Sequence, residues 1–409
     1  MRTLLLLLVL PLVAFGGTRF HGNLSRQAIQ IKRAELSAEE NAKTLNFQFA
    51  LPLRNFAELQ KRVAAGEVIS QTELEEKYYP TSEDYGRVRD WLTAHGARRV
   101  QEDATHMTVF AEAPVQVVAA VLQVPFAVVN GSDNNEYVAA VDDPVLPEEL
   151  QSLVVAVNGL QPQVKSHPLG ITTATPTWNG EDCLVPRGLL QLYNGDQTGL
   201  TGAGQTIVVL GTQLDTTDLT KFWSDTSMPQ ALSNFTVVNP GGASWTTTDP
   251  TKNGSNDNNV LETTLDCEWA SGVAPGAKIE LYQTTDWAAV SRQIAAEVKA
   301  GNTSIHQISS SFGTAETDLS QNALKSYAQY LAAIAANGIT IFAASGDNGS
   351  DEKNSQGTSV QTVDWPASDA SVTGVGGTST DLSGYNNLAS LVEHAWSSSG
   401  GGVSAQARP

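Results

Sequence analysis

NNVLETTLDCEWASGVAPGAKIELY, residues 258–282, reads as a helix running through a small-residue turn into an apolar strand. Glu262 and Asp266 stand four apart, so a helix places them on one face, one turn from each other. Two like charges in that position repel unless one carboxyl keeps its proton. A pair that shares a proton has one pKa raised and the other lowered, which is a way to build a base from acids. Taken alone, a Glu-x-x-x-Asp pair is usually solvated helix surface. Here Leu261 and Leu265 precede the two acids and ASGVAPGA follows them, so the helix is expected to press against the turn.

The surrounding sequence repeats the strand and helix alternation. QTIVVLG (205–211), AKIELYQ (277–283), SIHQISSSFG (304–313) and ITIFAASGD (339–347) are apolar runs with little alternation, and LSQNALKSYAQYLAAIAANG (319–338) is a long helix between two of them. Such strands belong to a parallel sheet covered on both faces. Sites in these sheets form at the carboxyl ends of strands, where SSSFG and ASGDNGS both lie. Asp347 after Gly346 is most simply a turn former. Its alternative use is to keep a proton and donate a hydrogen bond to a developing oxyanion.

Residues 18–165 have a different character, helix-rich and carrying most of the Lys and Arg. LRNFAELQKRVAAG (53–66) and SEDYGRVRDWLTAHG (82–96) are amphipathic helices ending in glycine, and APVQVVAAVLQVPF (113–126) is a third. LNFQFALP (45–52), HMTVFAEA (106–113) and EYVAAV (136–141) are the expected strands. The order predicts a ferredoxin-like split α/β sandwich. A Pro, Thr and Gly-rich stretch, residues 166–178, reads as a linker to the parallel-sheet domain, 179–409.

At the amino terminus MRTLLLLLVLPLVAFGG (1–17) has one Arg, a leucine run too short for a bilayer of about 30 Å, and a small-residue close, which are the marks of a secretory signal. No later run reads as a transmembrane helix. The chain of 409 residues has a formal charge of -19, with nine Lys and Arg against 23 Asp and Glu from Asn179 onward. That field repels nucleic acid and anionic lipid. The two cysteines, Cys183 and Cys267, pair in an exported protein or stay as lone buried thiols; spacing decides neither. They are insufficient for zinc, and no calcium ligand cluster is visible.

Several motifs in register resemble the serine-carboxyl peptidases of the sedolisin and kumamolisin family. They are ETTLDCEWASGVAPGAKIELY (262–282), ISSSFG (308–313), GITIFAASGDNG (338–349), WPASDASVTGVGGTS (365–379) and EHAWSSSGGGVS (393–404). Earlier, LPLRNFAEL, VRDWLTAHG, VVAAVLQVPF and LPEELQSLVVAVNGL follow the order of that family's activation propeptide. The resemblance implies a subtilisin-like three-layer catalytic domain behind a ferredoxin-like propeptide. It implies Glu262 as general base, Asp266 as the group that orients it and shares its proton, and Asp347 as the acid of the oxyanion hole. It also implies that Ser311, Phe312 and Gly313 form an edge segment pairing with substrate backbone, although the family's usual aromatic there is Trp.

The family's nucleophile lies in a Gly-Thr-Ser-x-x-x-Pro motif that opens a helix. GGTSTDLSG (376–384) imitates it, but it has no proline in the motif's last place, so Ser379 is assigned to a strand end. No nucleophile is therefore expected within 1–409, and the catalytic domain is read as incomplete, cut before the serine and before the calcium loop of the full-length family domain. His306 and His394 are the two histidines beyond the linker, and both read as structural or solvent-facing. The expectation is a secreted, monomeric, acid-active endopeptidase zymogen that acts on polypeptides and is inhibited by its own propeptide; this chain itself would be inactive. The alternative is a non-catalytic, peptidase-like binding protein.

Overall fold

The computed structural model describes residues 17–168, 185–240, 258–354, 356–381 and 392–405. The expected signal segment falls outside them except for Gly17, and so do Cys183 and most of the linker. Cys267 is buried as a free thiol. Gly17–Arg19 forms a short strand against Val145–Pro147.

The first unit is built on a four-stranded antiparallel sheet in the order Arg98–Gln101, Thr108–Pro114, Thr44–Ala50, Ala156–Asn158. With helices Phe56–Ala64 and Ser82–Ala94 after the first strand and Val115–Val121 after the third, this is the ferredoxin-like arrangement. Thr81 starts the second of these helices by accepting from the Asp84 amide at 3.1 Å. One expectation about its strands needs correction. Glu136–Ala140 is not in this sheet: it pairs with Phe126–Asn130, which pairs with Ile31–Arg33. The fourth strand comes instead from Ala156–Asn158, and Arg98–Gln101 completes the sheet at its other edge. Both are three or four residues long and give little period-2 signal.

The second unit carries six parallel strands in the order Phe235–Val238, Lys278–Gln283, Thr206–Gly211, Ile305–Ser310, Thr340–Ala344, Thr373–Val375. On one face Val209, Ile279 and Leu281 pack with Leu219, Trp223 and Cys267 of helices Thr216–Asp225 and Asn258–Val273. On the other, Val208, Tyr282 and Ile308 pack with Val290, Ile294 and Leu331 of helices Trp287–Lys299 and Gln321–Ala336. Burial on both faces is why these strands lack alternation. The long helix starts at Gln321 rather than Leu319, because Ser320 caps it, accepting from the Ala323 amide at 3.1 Å.

The two units share one apolar core. Ala50, Leu53, Tyr78, Phe110 and Ala156 of the first pack with Ala288, Tyr330, Ala332, Ala333 and Ala336 of the second. Thr44–Ala50 is therefore buried along its second half, from Phe47 to Ala50: one sheet face meets its own helices and the other meets the alanine-rich face of Gln321–Ala336. The Thr108 and Tyr330 hydroxyls bond at 2.8 Å across this boundary, and the Ile69 amide donates to the Ala336 carbonyl at 2.7 Å.

Candidate active site

Helix Asn258–Val273 is held against the carboxyl end of strand Thr206–Gly211 by two threonines. The Thr212 amide donates to Thr263 Oγ1 at 2.9 Å, and the Asp215 amide donates to Thr264 Oγ1 at 3.1 Å. A Cβ on Gly211 would lie 2.6 Å from Thr263 Oγ1, so only glycine lets the helix approach this closely. This contact sets the helix's rotation. Glu262 is 5% exposed and Asp266 half-buried, whereas Leu261 and Leu265 are 38% and 43% exposed. The acids face in and the leucines face out, the reverse of the usual amphipathic order.

The expected single strand 304–313 is broken. Ile305–Ser310 stays in the parallel sheet, while Phe312–Ala315 leaves it to pair antiparallel with Asp364–Trp365. Ser311 stands at the break, and its Oγ donates to Asp266 Oδ1 at 2.7 Å. Burial raises the pKa of Glu262, the Asp266 charge raises it further, the Ser311 hydroxyl lowers it, and the Asp347 charge adds to the rise. Burial likewise raises Asp266, against the same hydroxyl. Glu262 Oε2 and Asp266 Oδ2 are buried without a donor, the condition in which a carboxyl retains a proton. Asp347, half-buried at the end of its strand, is also raised, by burial first and then by the Glu352 charge.

Geometry thus brings Glu262, Asp266 and Ser311 together, with Asp347 near enough for its charge to act on Glu262. The backbone of the Phe312–Gly313 edge is already occupied. His167–Pro168, from the segment joining the two units, pairs with it antiparallel, His167 opposite Gly313 and Pro168 opposite Phe312. Ser379 lies elsewhere, in an exposed strand Thr378–Asp381, opposite His394 of Val392–Ala395. His306 and His394 are both exposed. Sequence reasoning assigned Ser311 to substrate binding through its backbone and missed its hydroxyl, and it missed Thr263 and Thr264 altogether. Threonines on the inward face of a helix between two acids are the signal that could have found them. Among the described residues no group of three or more His, Cys, Asp or Glu could hold a metal ion.

Residues 33–162 match the family "Pro-kumamolisin, activation domain". Over 317 residues the chain is 28% identical to kumamolisin from Bacillus sp. (strain MN-32), covering 72% of this chain and 54% of that protein. The chain thus carries a pro-kumamolisin activation domain at residues 33–162 and is similar to kumamolisin. It spans about half the length of this curated relative. Among solved structures, Pseudomonas sedolisin (serine-carboxyl proteinase) complexed with two molecules of pseudo-iodotyrostatin matches at 24% identity and a TM-score of 0.44, over 55% of this chain and 64% of that one. Fervidolysin from Fervidobacterium pennivorans matches at 14% identity and a TM-score of 0.37, over 91% and 48%. The kumamolisin-type activation domain coincides with the ferredoxin-like unit, and the acid pair lies in the parallel-sheet unit behind it.

Proposed function

We propose that the chain belongs to a secreted, acid-active serine-carboxyl endopeptidase made as a zymogen. The observation that carries this is the Ser311-bridged pair Glu262 and Asp266, buried beside an edge strand that already holds an extended segment of the same chain. In this reading Glu262 takes the nucleophile's proton and later returns it to the leaving amine. Asp266 orients Glu262 and shares its proton. Protonated Asp347 donates to the oxyanion of the tetrahedral intermediate. Phe312 and Gly313 pair with substrate backbone, and Ser311 serves the acid pair with its side chain.

The nucleophile is proposed to lie outside residues 1–409, in a Gly-Thr-Ser-x-x-x-Pro segment of the gene product, together with the family's calcium loop. The division into signal peptide (1–17), propeptide (18–165), linker (166–178) and catalytic domain from 179 is part of the proposal. The propeptide inhibits by covering the apolar face of Gln321–Ala336, and the linker that follows it adds to this by laying His167–Pro168 along the edge that a substrate needs. A monomer acting on polypeptides suffices for this mechanism. The test is casein cleavage by the activated full-length gene product in acid. Glu262→Gln should abolish it with the fold retained; an active Glu262→Gln enzyme would refute the assignment.

A further inference from the structure

A second pair of buried acids stands behind Asp347. Glu352, in strand Asp351–Lys353, is 2% exposed, and Asp364, in strand Asp364–Trp365, is 1% exposed. Their carboxylates converge on Gly346, whose φ is +100°. A Cβ there would collide with both Asp364 Oδ2 and Glu352 Oε1. Glu352 Oε2 accepts from Asn348 Nδ2 at 2.8 Å, while Glu352 Oε1 and both Asp364 oxygens have no donor. Two fully ionised carboxylates packed this closely in a dry site would repel strongly. Asp364 is raised by burial first and then by its charge and hydrogen-bond interactions with Glu352. The acids facing it are Glu352 on its own hairpin strand, Asp347 on the Gly346 turn and Asp318 on the short Glu316–Asp318 helix.

We propose that Glu352 and Asp364 share one proton and that this shared bond is a clamp positioning the Gly346 turn, and with it Asp347. The clamp ties three parts of the site. Asp364 pairs with Ala315 of the substrate edge, Glu352 holds Asn348, and the turn between them bonds to the chain beyond Ser398 through the Gly349 amide on the Ser398 carbonyl at 2.9 Å and the Gly400 amide on the Gly346 carbonyl at 2.6 Å. Loss of the proton leaves two negative charges against one Cα and frees the turn. Glu352 and Asp364 are positioning residues: the reacting groups are elsewhere, and the effect on activity rests on the oxyanion role proposed above for Asp347.

Amide hydrogen exchange on the chain 1–409, corrected for intrinsic rates, reads the clamp whether or not that role holds. From about pH 5 to about pH 10, the range into which burial moves such a carboxyl, protection of the Gly349, Asp351 and Gly400 amides should fall. Above the ordinary carboxylate range, where Asp364 is ionised only when the turn opens, and until Asp364 titrates in the closed turn, the fall should be about tenfold per pH unit, the factor for release of one bound proton. In Glu352→Gln an amide hydrogen replaces the shared proton, so protection should lose this slope. Asp364→Asn should behave alike and serves if the first variant does not fold. Protection independent of pH in the unmodified chain, or the same slope in all three proteins, would overturn the proposal. So would a slope that magnesium or calcium chloride removes from the unmodified chain, since the pair would then be a cation site. A flat casein profile with the predicted exchange slope would instead count against the role of Asp347 alone.

Discussion

Ser311 Oγ donates to Asp266 Oδ1 at 2.7 Å from the point where the edge strand leaves the parallel sheet. One residue therefore marks the start of the Phe312–Ala315 strand and bears on the ionisation of the acid pair. The hydrogen bond favours the charged form, so its loss raises the pKa values of the pair. Ser311→Ala should shift the acid limb of the activated enzyme's kcat profile to higher pH and lower kcat by about 10- to 100-fold, with KM little changed. A change in KM alone would return Ser311 to a purely substrate-binding part, and loss of all labelling by a serine-directed phosphonate would make it the nucleophile.

Removing Asp266 has a different signature. Its charge raises Glu262, so in Asp266→Asn the pKa of Glu262 should fall even as its orientation is lost. Activity should drop by about 10³- to 10⁴-fold, the scale seen when the orienting acid of a triad is replaced, and the residual activity should reach to lower pH. Residual activity confined to higher pH would contradict the charge coupling.

The same groups set how stability varies with pH. Glu262 and Asp266 have folded pKa values above those of an unfolded chain, so folding takes up protons on them. Their favourable contribution is complete below the ordinary carboxylate range and is lost as pH rises through the raised values. A tenfold change in a buried group's acidity on folding is worth about 1.4 kcal/mol. Thermal unfolding of the chain 1–409 should show the higher Tm in acid, and Glu262→Gln should flatten the decline toward neutral pH. An unmodified chain most stable above pH 7 would sink this reading.

Release of the propeptide involves opposing groups. The Lys299 ammonium, bonded to Glu75 at 2.9 Å across the boundary, holds Glu75 below its usual pKa, so this contact is lost as pH falls. Asp286, which caps helix Trp287–Lys299 and accepts from Gln48, is raised mainly by burial and favours the complex in acid. An exposed ion pair is worth about 0–1 kcal/mol, so Glu75→Gln in an isolated propeptide should weaken inhibition at neutral pH by no more than about fivefold and reduce its acid sensitivity. Unchanged acid sensitivity would move the trigger to other carboxylates.

How much of this was legible in the sequence depended on the distance over which the physics acts. Glu262 and Asp266 were readable because four residues on a helix fix their relation, and the parallel sheet was readable because burial on both faces leaves apolar runs. The break at Ser311 was not, since a strand that changes sheets keeps the same composition on both sides. The inward turn of the acids depends on Thr263 meeting Gly211, a contact between parts of the chain far apart in sequence. Glu352 and Asp364 meet only through the fold of the hairpin around Gly346, and no local pattern marks them.

A carboxyl pair, rather than an imidazole, is the proposed base. An imidazole loses its basic form below about pH 6.5, whereas a pair sharing one proton still offers a negative charge in acid. The direct measurement is the pH dependence of kcat/KM for the activated full-length enzyme on an unstructured peptide. The expected result is a maximum between about pH 3 and 5, abolished in Glu262→Gln; a maximum above pH 7, or one that survives Glu262→Gln, would contradict a carboxyl base.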